Sequence, residues 1–189
     1  ASRYSFPAAS SESHLIRYSD AARELGQPIE RSGGGAWCVI RGTFYYYVWW
    51  TWKQWEIEKF SINVLEAKAR DIGGVIFLDK AAALGCSITH TSAYVDNTTA
   101  EHIAERGKTS TAMLNELNKA RLVDLMARGV HETNERVASV DNDVADALSR
   151  DAEQEALRFP RDCGLACVRL DVENRHRAWP VVDDEPTCE

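Results

Sequence analysis

Residues 43–52 read TFYYYVWWTW, and this stretch decides the fold class. Every side chain in it is aromatic or β-branched, the composition that fits a pleated surface. Alternation puts Phe44, Tyr46, Val48 and Trp50 on one side and Tyr45, Tyr47 and Trp49 on the other. Both sides are apolar, which predicts a strand covered on both faces or packed against a partner protein. A stacking platform for nucleic-acid bases is the competing reading, and packing is favoured over it. Upstream, Gly42-Thr43 marks a tight hairpin back to AWCVIRG at 36–42. Before that come Gly33-Gly34-Gly35, a polar connection over 21–32, and the β-prone run HLIRYS at 14–19, which leads into Asp20. Three antiparallel strands therefore open the domain.

Downstream, the period changes from two to helical. From Ser61, apolar side chains recur at Ile62, Leu65, Ala69, Ile72, Ile76 and Ala83. Gly73-Gly74 inside this helix predicts close packing or a bend, and Gly85 a C-terminal stop. A strand over 88–95 delivers Asp96. Helices over 99–106 and 111–128 end at Gly107 and Gly129, the second with a buried stripe of Leu114, Leu117, Leu125 and Met126. A strand over 135–140 follows, and Asp141 or Asn142 caps a last helix over 143–157. The order β-β-β-α-β-α-α-β-α is that of an α/β domain over 14–157. Residues 1–13 read as a flexible leader and 158–189 as an irregular C-terminal tail.

The chain has 189 residues, with 29 acidic and 22 basic side chains and a formal net charge of −7. Apolar residues at 44% and charged residues at 27% describe an ordinary globular chain. The acidic balance excludes an all-round basic coat, so a nucleic-acid site must be local and served by metal cations. No stretch approaches the ~20 apolar residues of a membrane span. The first residue is Ala rather than Met, which reads as a chain processed or cut from something longer, with an organellar presequence remnant as the minor alternative. Five cysteines without zinc spacing read as reduced thiols of an intracellular protein, although Cys163 and Cys167 could meet on a helical turn.

Four acids fall where this order of elements gathers side chains. Asp20 ends the first strand, and Glu66 lies on the first helix one turn past Ile62. Asp96 ends the fourth strand, and Asp146 sits in the first turn of the last helix between Ala145 and Ala147; Asp141 and Asp143 are weaker candidates for its place. Converging carboxylates repel unless cations neutralise them. Mg²⁺ suits such a place, being a hard ion that prefers carboxylate oxygen. Two ions about 4 Å apart form a known arrangement for phosphodiester cleavage.

The stretches Tyr18-Ser19-Asp20-Ala21, Ser61-Ile62-Asn63-Val64-Leu65-Glu66-Ala67-Lys68-Ala69, Val95-Asp96-Asn97-Thr98-Thr99-Ala100 and Asn142-Asp143-Val144-Ala145-Asp146-Ala147-Leu148-Ser149-Arg150 occur in this order on these elements. In this the chain resembles type 1 RNase H, and most closely the RNase H-like domains of retroelement reverse-transcriptase polyproteins of the DIRS-like group, or a host protein derived from one. The resemblance spans residues 14–157. It implies a mixed five-stranded sheet with helices on both faces, and hydrolysis of the RNA strand of an RNA–DNA hybrid with two Mg²⁺ or Mn²⁺ ions. Asp20 would bridge both ions, and Glu66 would hold one of them near the ribose 2′-hydroxyl, the group that tells RNA from DNA. Asp96 would bind the ion that activates water, with Asp146 completing that ion's shell. Gly34 and Gly35 would bring backbone amides to the substrate, against an equal reading as a plain turn. Asn97 and Asn142 would touch substrate or carboxylates, against helix capping.

The chain departs from the family in two respects. Active members often carry a His in the loop before the last acid, whereas 136–142 reads RVASVDN and the nearest is His131. The basic handle is reduced to Arg106, Lys108, Lys119 and Arg121 against Glu116, which also fits a solvated helix face. His90 and His102 bracket Asp96 without metal-ligand spacing. The alternative function is a non-catalytic structural or RNA-binding module of a larger assembly, with further domains or partner proteins. A DNA-acting transposase or resolvase is the weaker third reading, because Glu66 is more characteristic of RNase H.

Overall fold

The computed structural model describes residues 10–24, 32–96 and 108–179. Its strands are β1 (His14–Ala21), β2 (Gly33–Ile40), β3 (Phe44–Thr51), β4 (His90–Asp96), β5 (His131–Val137) and β6 (Ala166–Arg169). They form a six-stranded sheet in the order β5-β4-β1-β2-β3-β6. β1, β2 and β3 pair antiparallel, while β4 lies parallel to β1 and β5 parallel to β4. The hairpin between β2 and β3 turns through Arg41 and Gly42, both in the left-handed region at φ 58° and 68°.

The helices are α1 (Gln54–Lys59), α2 (Ile62–Ala83), α3 (Lys108–Arg128), α4 (Asp143–Ser149), α5 (Glu153–Asp162) and α6 (Asn174–Arg177). The sheet has helices on both faces. Tyr46, Val48 and Trp50 of β3 bury with Ile72 and Phe77 of α2 and Leu117 of α3. Tyr45 and Tyr47 bury on the other face with Val144, Leu148 and Leu157 of α4 and α5. The alternation read from 43–52 thus feeds two cores, with Phe44 at the strand's start left 42% exposed. Gly73 and Gly74 do let α2 lie close. A Cβ on Gly73 would come within 2.8 Å of the Ala36 Cβ, and one on Gly74 within 2.8 Å of the Arg17 guanidinium.

The stretch from 158 onward corrects the expected irregular tail. α5 runs through it to Asp162, and β6 then adds a sixth strand, pairing parallel with β3 from Phe44↔Ala166 to Tyr47↔Arg169. An aromatic edge strand is a liability when its backbone is unpaired, and β6 covers it. The last helix, expected over 143–157, is two helices. Asp151 at φ 60° breaks it, and Glu153, the first residue of α5, accepts hydrogen bonds from Tyr47 Oη (2.6 Å) and Trp49 Nε1 (3.1 Å). Met126, expected in the buried stripe of α3, is 80% exposed, and Ala83 is exposed too. β5 starts at His131 rather than 135. The helix read over 99–106 and residues 1–9 of the leader lie outside the described residues, while Ser10 is buried and bridges to Ile40.

β5 carries a polar sequence, HETNERV, and is held by charge rather than by apolar burial. Arg17, buried in β1, reaches across β4 to Glu132 of β5 at 2.7 Å and donates to Thr91 Oγ1 at 2.8 Å. Arg121 of α3 meets the same Glu132 at 3.3 Å. Cys38, Cys86, Cys163 and Cys167 are free thiols, with Cys163 capping α5 and Cys167 in β6.

Candidate metal centre

Parallel pairing of β1 with β4 brings their carboxyl ends together, the side of a sheet where loops and helix N-termini assemble sites. Ser19 lies opposite Val95, so Asp20 and Asp96 follow as neighbours at that edge. α2 starts when the Ser61 hydroxyl accepts from the Val64 amide at 3.4 Å, and its second turn carries Glu66 to the same place. Oxygens of Asp20, Glu66 and Asp96 all lie within 4.8 Å of one another. The fourth acid arrives from the other face. α4 is fixed by Asn142, which is 1% exposed and whose Nδ2 donates to the Ser19 carbonyl at 3.1 Å. Asp146, within hydrogen-bond reach of Asp20, then stands at the cluster's flank.

Asp20 is 7% exposed and its Oδ1 accepts from the Ala21 amide at 2.8 Å. Burial first, and then the charges of Asp96 and Asp146, push its carboxyl well above the usual carboxylate range. A buried carboxyl pressed by two others is a charge arrangement that a divalent cation relieves. The donors are all carboxylate oxygens, which suit Mg²⁺, Mn²⁺ or Ca²⁺ and disfavour soft metals. The residues therefore fit a divalent ion. Asp20, Glu66 and Asp96 thus bring carboxylate oxygens together, and Asp146 acts on Asp20 from α4.

Asp146 has a cation of its own. Arg150 Nε donates to Asp146 Oδ1 at 3.0 Å, one turn along α4, and Arg150 Nη1 donates to Glu24 Oε1. Glu24, which follows β1 in an irregular segment, carries no sequence signal that singles it out.

The remaining expected site residues divide in three. Gly34 and Gly35 lie buried inside β2: a Cβ on Gly34 would strike the Trp50 indole at 2.3 Å and one on Gly35 the Leu148 Cβ at 2.5 Å. They pack closely against α4 and β3 from within a strand, which corrects the expectation of a plain turn. Asn142 ties α4 to β1, while Asn97 and His102 lie outside the described residues. His131 pairs with His90 at the start of β5, and Val137 is the residue opposite Asp96. At ~3.3 Å per residue that is roughly 20 Å from the acids, too far to serve them. Of the basic handle, Arg121 is turned inward to Glu132 and Lys119 pairs with Glu116 at 3.5 Å. Trp49, a candidate for base stacking, donates to Glu153 and lies under the Arg169 guanidinium at 4.2 Å.

No family model and no curated protein matches the chain. Solved structures similar to it in backbone outline include the following three. RNase H1 from the halophilic archaeon Halobacterium salinarum NRC-1 has a TM-score of 0.47 at 15% identity, over 75% of this chain and 98% of that one. The N-terminal RNase H domain of Rv2228c from Mycobacterium tuberculosis, solved as a fusion with maltose-binding protein, has 0.45 at 22%, over 78% and 98%. LC11-RNase H1 in complex with an RNA/DNA hybrid has 0.49 at 15%, over 76% and 99%. At these scores the chemistry of the site is read from its own carboxylates. No helix among the described residues is long and apolar enough to cross a membrane.

Proposed function

We propose that this chain is a divalent-metal-dependent endoribonuclease that hydrolyses the RNA strand of RNA–DNA hybrids, as the RNase H part of a retroelement-type polymerase. The observation that carries the proposal is the convergence of Asp20, Glu66 and Asp96 to within 4.8 Å, with Asp146 beside Asp20. These are the four acids of the stretches that carry the family resemblance, and that resemblance supplies the retroelement context. Mg²⁺ or Mn²⁺ held here supplies Lewis-acid polarisation of water and of the phosphate oxygens. The chain's own part is to hold the donors rigidly. Asp20 is fixed by the Ala21 amide, Glu66 by a long helix packed through Gly73 and Gly74, and Asp146 by Asn142. A carboxylate must be ionised to serve as a ligand, so the raised pKa of Asp20 makes metal binding favour higher pH.

The Arg150 contact on Asp146 favours a second reading, a non-catalytic RNA-binding or structural module in which a side chain replaces an ion. One experiment separates the two. A labelled RNA–DNA hybrid is incubated with the folded protein in Mg²⁺ or Mn²⁺ beside the Asp96→Asn variant. Cutting confined to the RNA strand and lost in the variant supports the nuclease, and no cutting under either ion sinks it.

A further inference from the structure

β3 outruns β6. The two strands pair from Phe44↔Ala166 to Tyr47↔Arg169, and β3 continues to Thr51 while the chain leaves β6 through Leu170 and Asp171. A groove of about 1040 Å³ opens where they part, with Arg177 of α6 in its wall. The residues that β6 and α6 bring to it lie outside 14–157, the span of the family resemblance. Its place in the sheet relates it to the acids. Gly35 of β2 lies opposite both Asp20 of β1 and Trp49 of β3, and β1 and β3 run in the same direction. Trp49 therefore stands level with Asp20, two strands or about 10 Å away.

The groove is cationic in a chain of net charge −7. Among its described lining residues Asp171 is the one acid, against Lys53, Arg169 and Arg177. Arg177 is already engaged, donating to the Thr51 carbonyl at 2.7 Å and to Glu56 Oε1 at 3.0 Å. Lys53 and Arg169 are different. Both are exposed, and neither makes an ion pair among the described residues. The Arg169 guanidinium lies 4.2 Å from the centre of the Trp49 ring, a contact that orders it without satisfying its N–H donors. Glu153, which also reaches Trp49, spends one carboxylate oxygen on Tyr47 Oη and the other on Trp49 Nε1. A guanidinium held on an indole and left without an anion is ready for one from outside. Its planar fork matches two phosphate oxygens, and an ammonium beside it takes a second phosphate as a point charge.

We propose that this groove binds the phosphodiester backbone of a nucleic-acid strand, with Arg169 and Lys53 as its phosphate-binding residues. At ~3.4 Å of rise per nucleotide, Trp49 and Arg169 meet that strand about three steps from the acid cluster. This rests on the nucleic-acid-binding part of the nuclease reading and not on cleavage.

The test is fluorescence anisotropy of a labelled RNA–DNA hybrid titrated with the full chain in Mg²⁺, with Asp96→Asn in every protein so that the hybrid stays whole. Arg169→Gln weakens binding about three- to tenfold and lowers the slope of log affinity against log salt by about one, as one lost phosphate contact does. Lys53→Gln does the same, and the two together lower the slope by about two. Arg169→Lys keeps the charge but loses the guanidinium's contact with Trp49, so it keeps the slope and weakens binding by less. Arg158→Gln removes the same charge from an exposed position of α5 outside the groove and changes neither quantity. Circular dichroism melting establishes that each variant is folded. The RNA and DNA strands offered singly identify whose backbone the groove takes, as the one whose binding Arg169→Gln weakens. Slopes that Arg169→Gln and Lys53→Gln leave unchanged, or that Arg158→Gln lowers equally, overturn the proposal. If the chain without Asp96→Asn still cuts hybrid, the nuclease reading stands when the groove falls. The expected slope changes in a chain that cuts no hybrid uphold the groove while the nuclease reading falls.

Discussion

The Asn142 side-chain amide donates to the Ser19 carbonyl across 3.1 Å, joining the cap of α4 to the β1 residue just before Asp20. One contact thus sets the spacing between Asp20 on β1 and Asp146 on α4, acids that lie on separate elements more than a hundred residues apart. Asn142→Ala removes a buried hydrogen bond and is expected to cost about 1–3 kcal/mol in denaturant unfolding. Hybrid cleavage should fall more than stability does, because Asp146 loses its anchor. A variant as stable and as active as wild type would remove Asn142 from the site's construction.

Asp20 gives the metal-free protein a pH dependence of definite sign. Its pKa in the fold is raised above the usual 3.8, so the folded chain holds the proton more tightly than the unfolded chain. Stability is therefore greatest below 3.8 as far as this group is concerned, and falls as pH rises through its raised value. Asp20→Asn should stabilise the metal-free protein at neutral pH by roughly 1–3 kcal/mol, the scale of the desolvation penalty that a buried charge carries. Added Mg²⁺ at ten times its dissociation constant should raise wild-type stability by about 1.4 kcal/mol and leave Asp20→Asn unchanged. Equal responses in the two proteins would place the ion elsewhere.

His14 pulls the other way. Burial, and then the neighbouring His90 ring at 4.5 Å, lower its pKa below the usual 6.5. The unfolded chain then binds the proton more readily, so stability is full above pH 6.5 and falls as pH drops from there through the lowered value. His14→Gln keeps a polar group near Ser92 Oγ, which lies 2.8 Å from Nε2 in wild type, and should flatten the melting temperature over that window. An unchanged slope would mean that another group titrates there.

Gly35 is where β2 and α4 touch. A methyl group on it would meet the Leu148 Cβ at 2.5 Å and the Ser149 backbone nitrogen at 2.9 Å, so α4 would have to move. Gly35→Ala should cost about 1–3 kcal/mol through overpacking. It should also weaken hybrid cleavage, because Asp146 moves with the helix. Wild-type cleavage from a destabilised variant would show that the site tolerates a displaced α4.

Met126 marks the opposite case. At 80% exposure on α3, Met126→Lys should leave stability within about 0.5 kcal/mol of wild type. A loss of several kcal/mol, measured by denaturant unfolding, would return it to the core.

The aromatic run at 43–52, the helical period from Ser61 and the acids at the ends of 14–20 and 88–96 were each legible along the chain, because strand alternation, helix period and strand ends are local properties. From them came the α/β class, while the sheet with helices on both faces was what the family resemblance implied. The sixth strand was not legible. ACVR at 166–169 is too short to announce itself, and it is a strand only because β3 offers it an unpaired edge. The break of the last helix at Asp151 was not legible either, nor were the contacts of Tyr47 and Trp49 with Glu153 just beyond it, partners a hundred residues away. The glycines 33–35 could be seen but not their purpose, which depends on Leu148 and Trp50 arriving above them. The sequence by itself determined which acids share an edge of the sheet, because element order and strand direction settle that. Only the tertiary structure decided that Asp20, Glu66 and Asp96 come within 4.8 Å of one another and that Arg150, one turn from Asp146, also reaches Glu24, because those distances depend on how separate elements pack.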